Sequence, residues 1–362
     1  MKAVVFGASG YAGAELVRLI SGHSQFELVG VSGASNVGMA LVDIYPHLIG
    51  TAAAELTLVD STSLVDYVLN NAIDAVFLAL PNNTAVEIVP KLLDTVRLIV
   101  DLSADFRLRD AALYERHYGF IHPRPDLLDV GVYGLCELNR SQLVGAKLIA
   151  SPGCYVTAAT LSLYPLIDER LISDKSIVVN GVSGISGAGR QRNVENLFGE
   201  IDSNVNAYGL SGHRHSPEIE QNLGATILFV PHVAPMTRGI LTTSYADLTL
   251  EGLDHLGFTI NGELERSSTA ISYALTAKLE DFYSKDTFVD VLPTGQSPRT
   301  KSTLGTNRAL ISVTFDSRTK KLVSLCAIDN MIKGASGQAI QAANISLGFA
   351  EDEGLSRLGM YP

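Results

Sequence analysis

The sequence predicts an α/β protein in which a doubly wound parallel sheet domain is followed by a second domain of α+β type. The chain has 362 residues, which is more than one typical domain contains. Over residues 1–150, short and continuously apolar runs alternate with helical patterns, as they do where helices cover both faces of a parallel sheet. From residue 151 the runs become longer and alternate between apolar and polar residues. We therefore predict a first domain at 1–150, a second domain at 151–330 and a C-terminal helical segment at 331–362.

Apolar runs and periodic stretches predict the individual elements. The strands predicted for the first domain are Ala3–Gly7, Leu28–Ser32, Ala75–Leu80, Leu98–Asp101 and Lys147–Ala150, with helices at Ala12–Ser21 and Thr84–Leu93. The strands predicted for the second domain are Ser176–Val182, Arg238–Leu250 and an antiparallel hairpin of Ala309–Phe315 with Leu322–Ile328. The segment Lys333–Leu347 is rich in small residues and predicts a helix.

Composition and charge exclude several classes of protein. Hydrophobic residues make up 46% of the chain and charged residues 18%, which provides for a core and argues against disorder. The net charge of −11 disfavours a protein that coats nucleic acid or an anionic membrane. The N-terminus does not resemble a signal peptide, and no apolar stretch reaches the roughly 18 residues of a membrane helix. Three widely spaced cysteines without a CxxC pair fit a reducing compartment, so we expect a cytoplasmic protein without disulfides or structural zinc.

A glycine-rich turn, GASGYAG, lies between the first predicted strand and the first predicted helix. Glycines permit a tight turn and close backbone approach, and a helix N-terminus offers N–H groups to a pyrophosphate. The spacing GxxGxxG is a variant of GxGxxG, and its position after the first strand favours a Rossmann-type dinucleotide site over a plain loop. The residues predicted to bind the cofactor here are Gly7, Ser9, Gly10, Tyr11, Ala12 and Gly13.

The loop after the second strand indicates which dinucleotide binds. An NAD site usually places Asp or Glu here to bond the ribose 2′-hydroxyl, whereas this chain continues as Gly33-Ala34-Ser35-Asn36. Ser35 and Asn36 can donate hydrogen bonds to a 2′-phosphate, so NADP(H) is favoured over NAD(H). A polar loop without a ligand is the alternative interpretation.

Cys154 stands where a helix is predicted to begin. A sharp Pro-Gly entry precedes it, and the residues that follow have helical spacing. A thiol at a helix N-terminus is shifted towards thiolate, which is the form that attacks an acyl carbon. The alternative is a buried structural cysteine, which is the commoner role of a lone cysteine and the one that we assign to Cys136 and Cys326.

The best partner for this cysteine is the cluster GHRHSPE at residues 212–218. Ser216, as a capping residue followed by proline, is a good helix start. His213 and His215 stand two residues apart and would point the same way if their segment is extended. One imidazole can then move a proton while the other, or Arg214, binds an anion. Two histidines could also be metal ligands, but no third ligand stands nearby in the sequence, so no metal is predicted.

Two further segments are predicted to contribute to the site. The segment DLSADFR begins at the carboxyl end of a parallel strand, where open α/β sheets bind ligands. Within it we assign Ser103 and Arg107 to the substrate, with Arg107 holding a phosphate by a bidentate contact. Surface pairing of Arg107 with Asp105 or Asp110 is the alternative. The glycine-rich loop SGISGAGR at 183–190 suits close approach to a flat cofactor ring or to the substrate.

Five segments together resemble the N-acetyl-γ-glutamyl-phosphate reductases, a family in the larger group that resembles aspartate-semialdehyde dehydrogenase. They occur in the family's order between residues 4 and 347, and they are GASGYAGAELVRLI, SPGCYVTAA, SGISGAGR, GHRHSPEI and DNMIKGASGQAIQAANI. The combination of PGCY with HRHxPEI is specific to this family. The chain departs from the pattern at Val156, where the family has proline, which changes the helix entry slightly and leaves the thiol in place.

The resemblance implies a reaction and a set of roles. Cys154 would attack a γ-acyl phosphate and expel phosphate, and NADPH would reduce the thioester to N-acetylglutamate semialdehyde in arginine biosynthesis. His213 and His215 would act in acid/base catalysis and orient the substrate, and Arg107 would lie near the phosphate. Residues 151–330 would form a catalytic and dimerisation domain, the C-terminal helix would return to the dinucleotide-binding domain, and the protein would be a homodimer or homotetramer. The remaining assignments are Pro81, Ser186, Gly187 and Asn330 at the cofactor and Tyr155 at the substrate.

Two alternatives remain open at this point. The substrate could be a related acyl phosphate, either aspartyl phosphate or an aminoadipyl phosphate carried on a small acidic protein. An acidic carrier would be bound best by basic residues around the cleft. Nothing in the sequence of this acidic chain indicates such residues. A catalytically silent dinucleotide sensor would keep the glycine turn, but it has no reason to keep both Cys154 and the HRH cluster.

Overall fold

The computed structural model describes residues 1–191, 193–258 and 268–361. The chain divides into two compact units. Unit 1 comprises residues 1–152, 189–191 and 335–356, and unit 2 comprises the described residues of 153–188, 192–334 and 357–362. Within the described ranges, no helix has both the length and the apolar character needed to cross a membrane.

Unit 1 is built on a seven-stranded sheet in which every neighbouring pair is parallel. Its strands are β1 Lys2–Phe6, β2 Glu27–Ser32, β3 Leu58–Val59, β4 Ala75–Leu78, β5 Leu98–Asp101, β6 Val132–Tyr133 and β7 Leu148–Ala150. They lie in the order β3-β2-β1-β4-β5-β7-β6. The order reverses between β1 and β4, and open α/β sheets bind ligands at such a switch point. The prediction of a doubly wound parallel sheet is confirmed.

The helices within residues 1–152 alternate with these strands along the chain. They are α1 Tyr11–Ser21, α2 Leu41–Ile44, α3 Ser61–Asn70, α4 Ala85–Leu92, α5 Ala112–Tyr118 and α6 Cys136–Leu143. Helix α1 buries Leu16, Val17, Leu19 and Ile20 in the core beside the sheet. The strands β4, β5 and β7 are buried along their whole length, which is why their sequences are continuously apolar.

Unit 2 contains a seven-stranded mixed sheet. Its strands are β8 Ile177–Gly184, β9 Asn206–Ala207, β10 Ile227–Ala234, β11 Ile240–Asp247, β12 Val289–Val291, β13 Ala309–Asp316 and β14 Lys321–Ile328. They lie in the order β12-β13-β14-β11-β8-β10-β9. Strands β13 and β14 pair as the predicted antiparallel hairpin. Residues along β8 and β11 alternate between buried and partly exposed, as expected for a sheet with one packed face.

The helices of unit 2 include the two that carry the predicted catalytic residues. They are α7 Cys154–Asp168, α8 Phe198–Ile201, α9 Ser216–Leu223, α10 Leu250–His255, α11 Ser268–Phe282 and α12 Thr300–Thr303. Helix α7 is buried along most of its length and packs against strands β11, β13 and β14.

The C-terminal helix does not begin where the sequence predicted. One turn of π-helix occupies Ile332–Ser336, and the α-helix α13 covers Gly337–Leu347. Helix α13 belongs to unit 1, where Ile340 and its small neighbours join the same core cluster as α1. Its small residues allow this close packing, which accounts for their abundance in the sequence.

Candidate active site

The glycine turn of unit 1 has the backbone geometry of an anion-binding cradle. Gly7 has φ of +76°, and a Cβ there would stand 2.2 Å from the Ala79 carbonyl oxygen. A Cβ on Gly13 would stand 2.2 Å from the Gly7 carbonyl oxygen, so side chains are excluded at both positions. Helix α1 begins at Tyr11, and Gly10 precedes it without a side-chain cap. The first-turn N–H groups are therefore placed to bind a phosphate, and the turn fits the pyrophosphate of a dinucleotide.

Two side chains that are distant in sequence hold this turn. Tyr45 donates its hydroxyl to the carbonyl oxygens of Ser9 at 2.7 Å and of Gly10 at 3.3 Å. Arg190 donates from Nη1 to the same Ser9 oxygen at 3.1 Å, and its guanidinium carbon lies 5.2 Å from the centroid of the Tyr45 ring. Burial raises the pKa of Tyr45, and the charge of Arg190 acts in the opposite direction. Arg190 thus supplies a cation beside a turn whose own sequence contains none.

The other cofactor residues predicted for unit 1 follow the ends of neighbouring strands. Ser35 lies after β2 and donates its hydroxyl to Asn36 Oδ1 at 3.0 Å. Pro81 lies after β4 and is exposed. A Cβ on Gly33 would stand 2.9 Å from the Ser9 hydroxyl oxygen, so the loop after β2 starts against the glycine turn. Contact of Ser35 and Pro81 with a cofactor stays a prediction.

The substrate residues predicted for unit 1, Ser103 and Arg107, follow β5 and are buried. Ser103 donates from its backbone N–H and its hydroxyl to the Asp101 carboxylate, at 2.9 and 2.8 Å. Arg107 donates from Nε to the Ser151 carbonyl oxygen at 2.6 Å and from Nη2 to that of Leu102 at 2.8 Å. The guanidinium therefore braces the backbone at the ends of β5 and β7. Its contact with a phosphate stays a prediction.

Cys154 is the first residue of α7, as predicted, and its side chain is partly exposed. Gly153 precedes the helix in an extended conformation and leaves it without a side-chain cap. The helix dipole and the first-turn N–H groups favour a thiolate at this position. Burial raises the pKa values of Tyr155 and Tyr208, and negative charge on Cys154 acts in the same direction on both.

His215 lies against the backbone that leads into Cys154. The point where a Cβ would stand on Gly153 is 2.6 Å from Nε2 of His215, so the imidazole occupies space that a glycine leaves open. Glu218 is fully buried and accepts the Gly153 N–H at 2.9 Å. The start of α9 therefore brings an imidazole and a carboxylate to the turn that carries the thiol.

One detail predicted for the HRH cluster is wrong, and one condition set for it is not met. The segment before α9 is a turn and not extended, so the case in which the two imidazoles would point the same way does not apply, and His213 Nδ1 accepts the backbone N–H of His215 at 3.1 Å. That turn still brings the two imidazole centroids within 4.7 Å of each other. Ser216 is the first helical residue, and His215 occupies the capping position that was predicted for it.

His213 lies among aromatic rings. Its ring centroid is 5.3 Å from that of Phe229, 5.6 Å from that of Tyr208 and 6.1 Å from that of Tyr155. Burial lowers the pKa of His213 to about 4, and the charge of Arg214 acts in the same direction. His213 is therefore neutral near pH 7, where one ring nitrogen donates and the other accepts hydrogen bonds, and it does not act as an imidazolium acid.

Unit 2 brings three predicted cofactor residues together. Asn330 donates from Nδ2 to the Ser186 hydroxyl at 3.0 Å and accepts the Gly239 N–H at 2.7 Å. A Cβ on Gly187 would stand 3.7 Å from Nδ2 of Asn330. Asn330 thus holds the loop after β8 against the start of β11. Contact of these residues with a cofactor stays a prediction.

Glu218, Tyr208 and Arg190 are site residues that the sequence analysis did not assign. The role of Glu218 could have been predicted from sequence. It stands three residues after His215, the capping residue of α9, and residues three apart share a helix face. The roles of Tyr208 and Arg190 could not be predicted from sequence, because both lie in irregular backbone and meet their neighbours only in the folded structure.

Two family models match the chain. One, described as the semialdehyde dehydrogenase NAD binding domain, matches residues 2–146, and the other, described as the semialdehyde dehydrogenase dimerisation domain, matches residues 154–330. Relatives named N-acetyl-gamma-glutamyl-phosphate reductase align with the whole chain. The relative from Heliobacterium modesticaldum is 41% identical, and the one from Desulforudis audaxviator is 42% identical, with 100% of both chains covered in each case. The relative from Campylobacter jejuni is 40% identical, with 98% of both chains covered.

Solved structures share the fold at much lower sequence identity. Aspartate semialdehyde dehydrogenase II from Vibrio cholerae, in complex with ASA, superposes with a TM-score of 0.67 at 12% identity and covers 95% of this chain and 97% of its own. Aspartate semialdehyde dehydrogenase from Candida albicans, with NADP, superposes with a TM-score of 0.58 at 16% identity over 95% of this chain and 97% of its own. At these levels of identity, the similarities show that the chains share a fold.

Proposed function

The chain belongs to the semialdehyde dehydrogenase family and, within it, to the N-acetyl-γ-glutamyl-phosphate reductases, and from this premise we propose the reaction that it catalyses. It reduces N-acetyl-γ-glutamyl phosphate to N-acetylglutamate 5-semialdehyde and releases phosphate, as an oxidoreductase of arginine biosynthesis. The observation that carries the chemistry is the partly exposed Cys154 at the start of α7, with His215 against the preceding glycine. The full-length relatives support the choice of substrate.

The first half-reaction acylates Cys154. His215 takes the thiol proton, and the thiolate attacks the acyl carbon of the substrate. The new C–S bond forms as the C–O bond to phosphate breaks, and phosphate leaves with the bonding electron pair. The protonated His215 then gives its proton to the departing phosphate, so the imidazole returns to its neutral form. A thioester on Cys154 remains.

The second half-reaction releases the aldehyde. When bound at the glycine turn of unit 1, NADPH supplies the hydride that reduces the thioester carbonyl. As the C–S bond breaks, its electron pair returns to Cys154, which becomes a thiolate again. The rings of Tyr155 and His215 are buried, with centroids 6.1 Å apart. Exclusion of water by these rings would protect the thioester from hydrolysis.

The two histidines are assigned different tasks. The nearness of His215 Nε2 to the turn before Cys154 supports an acid/base role. The pKa of His213, lowered to about 4 by burial and by Arg214, supports a neutral imidazole that orients the substrate through a hydrogen bond. Tyr155 donates its hydroxyl to the His232 carbonyl oxygen at 2.8 Å, so its part is to shape the site through its ring.

The NAD(P)-binding unit is proposed to prefer NADP(H). No acidic residue follows β2 at positions 33–36, and the exposed Ser35 and the partly exposed Asn36 are donors in that loop. Arg190 adds a positive charge next to the glycine turn. A ribose 2′-phosphate is bound by donors and cations and is repelled by the carboxylate that NAD sites use.

Self-association is proposed for unit 2, because it matches the model described as a dimerisation domain. The partly exposed residues that alternate along β8 and β11 give the sheet a second face that a copy of the chain can cover. A homodimer or homotetramer is expected, and the sedimentation mass of the purified protein tests this.

The reaction is tested in the reverse direction, by phosphate-dependent reduction of NADP⁺. N-acetylglutamate semialdehyde is compared with aspartate semialdehyde, and NADP⁺ with NAD⁺. We expect kcat/KM to favour the acetylated substrate by on the order of 10²-fold. A preference for aspartate semialdehyde would overturn the substrate assignment, and a rate that does not depend on phosphate would overturn acyl phosphate chemistry.

A further inference from the structure

Gly334 lies in the π-helical turn Ile332–Ser336 and packs directly against the proposed nucleophile. A Cβ on Gly334 would stand 2.8 Å from Cβ of Cys154 and 3.2 Å from Cδ1 of Ile328. Carbon atoms in ordinary contact are about 3.5–4.0 Å apart. An added methyl group therefore requires a neighbour to move by on the order of 1 Å, and the closest neighbour is Cys154. Single π-helical turns are frequent at functional sites.

Backbone conformation does not account for this glycine. The φ angle of Gly334 lies outside the left-handed region, so alanine could adopt the same backbone. Alanine is also the better residue inside a helix, because glycine loses more backbone entropy on folding. The close approach of Cys154 is what requires glycine here.

The π-helical turn is held in place by hydrogen bonds to Asp329. Oδ1 of the fully buried Asp329 accepts the N–H groups of Met331 at 2.8 Å and Ile332 at 3.2 Å, and Oδ2 accepts that of Gly305 at 2.9 Å. The backbone N–H of Gly334 donates to the Asp329 carbonyl oxygen at 3.0 Å. Because these bonds anchor the π-helical turn, we expect a steric clash to displace the partly exposed Cys154 side chain more than the turn itself.

We propose that Gly334 is a positioning residue for Cys154. Because it has no side chain, the π-helical turn lies directly on Cβ of Cys154 and sets the direction of its Sγ. In the turn that leads into α7, Gly153 admits the ring of His215. The nucleophile and its proton acceptor are thus both placed by glycines. The inference rests on the proposed thioester chemistry at Cys154.

The test is Gly334→Ala in the full-length enzyme. We expect kcat to fall by on the order of 10²-fold while KM for the aldehyde changes by less than about threefold, because a 1 Å displacement of a reacting atom has that effect on the chemical step. A second readout needs no substrate, namely the rate at which iodoacetamide alkylates the native protein. Cys136 and Cys326 are fully buried, so this rate reports on Cys154. We expect it to fall by about tenfold as Sγ moves away from the groups that favour its thiolate.

Two further variants separate positioning from general strain. Gly334→Ala combined with Ile328→Val removes the second contact, because valine has no Cδ1, and leaves the contact with Cys154. Compared with Gly334→Ala alone, this double variant should have a higher melting temperature but the same low kcat and alkylation rate. Gly252→Ala places a Cβ 2.4 Å from the Leu171 carbonyl oxygen elsewhere in unit 2. It should lower the melting temperature and leave kcat and alkylation unchanged.

The outcomes distinguish this inference from the proposed function. Wild-type kcat and alkylation in Gly334→Ala, or recovery of both in the double variant, would overturn the positioning role. Full activity in Cys154→Ala would instead overturn the thioester mechanism. In that case the alkylation rates still decide whether Gly334 positions the thiol, because they need neither substrate nor cofactor.

Discussion

Two helices of this chain begin with a cysteine, α6 at Cys136 and α7 at Cys154, and the two starts differ. Cys136 is fully buried, and its thiol donates to the Gly134 carbonyl oxygen at 3.7 Å. Cys154 is partly exposed, and an imidazole lies against the residue before it. Both cysteines stand at a helix N-terminus, although α6 is interrupted by non-helical backbone at Asn139 and α7 is continuous over 15 residues. Access for a substrate and a neighbouring proton acceptor are what distinguish the proposed nucleophile from a packed thiol.

The glycines before the two cysteines show the same contrast. A Cβ on Gly134 would stand 2.9 Å from Cγ2 of Ile149 and 3.0 Å from the Ala150 carbonyl oxygen, which are both core atoms. A Cβ on Gly153 would meet the imidazole of His215 instead. One glycine allows a strand to pack, and the other allows a reactive side chain to approach.

The largest expected effect comes from removing each thiol in turn. Cys154→Ala should lower kcat by on the order of 10⁴-fold or more, because no other group can form the thioester. Cys136→Ala should leave kcat within about threefold and lower the free energy of unfolding by roughly 1–2 kcal/mol, because it removes only buried packing. The measurements are the phosphate-dependent rate and urea unfolding. Fluorescence titration serves as the control, since Cys154→Ala should still bind NADPH through unit 1.

An activity that survives Cys154→Ala with little loss, or one that disappears in Cys136→Ala without loss of stability, would break the comparison. In the first case the thiol takes no part in the chemistry. In the second, the cysteine at the start of α6 would have a role that its burial does not suggest.

The next largest effect is expected from replacing His215, the imidazole that distinguishes the start of α7. His215→Asn should lower kcat by about 10²–10³-fold, as expected for loss of a general acid/base. His213→Asn should act mainly on KM, because a neutral imidazole that orients the substrate contributes to binding. Steady-state rates over a range of aldehyde concentrations separate the two effects. The reverse pattern, with kcat lost in His213→Asn and KM raised in His215→Asn, would exchange the two roles.

The parts of this site that could be predicted from sequence are those encoded locally. Continuous apolar runs predicted β4 and β5 because both strands are buried on their two faces. The edge strands β3 and β6 have two residues each, which is too short to produce a pattern. The start of α7 was predictable because a Pro-Gly entry and a helical period adjoin Cys154.

The rest depends on contacts between residues that are far apart in the chain. Nothing near Gly334 indicates that its missing side chain makes room for Cys154, which precedes it by 180 residues. Arg190 likewise reaches the Ser9 carbonyl oxygen from 181 residues away. The orientation of His213 and His215 was predicted only for an extended segment, in which residues two apart point the same way. In the structure the His215 N–H donates to the His213 ring within a turn, which the spacing alone does not reveal.

A smaller effect is expected from the two glycines. Gly153→Ala should lower kcat by about 10–100-fold, since the new methyl group pushes the His215 ring from its place. Gly134→Ala should leave kcat unchanged and lower the free energy of unfolding by about 1–3 kcal/mol, because its methyl group meets core atoms. Rates and urea unfolding of the two variants form a matched pair. If Gly153→Ala lost stability alone, with wild-type kcat, the contact with His215 would be packing without a catalytic purpose.

The smallest effect concerns how the partly buried His213 makes the stability of the fold depend on pH. In the folded protein the pKa of His213 is lowered to about 4, mainly by burial, from its ordinary value of 6.5. Between these two values the unfolded chain binds a proton that the folded protein excludes, so the free energy of unfolding decreases as pH falls from 6.5 towards 4. His213→Gln removes this contribution, and its stability should fall less than that of the wild type over the same interval, by on the order of 1–2 kcal/mol. Urea unfolding at several pH values measures the two slopes, and Cys136→Ala, which keeps His213, should follow the wild type. Parallel slopes in His213→Gln and the wild type would mean that folding does not lower the pKa of His213, and burial would then not be what keeps this imidazole neutral.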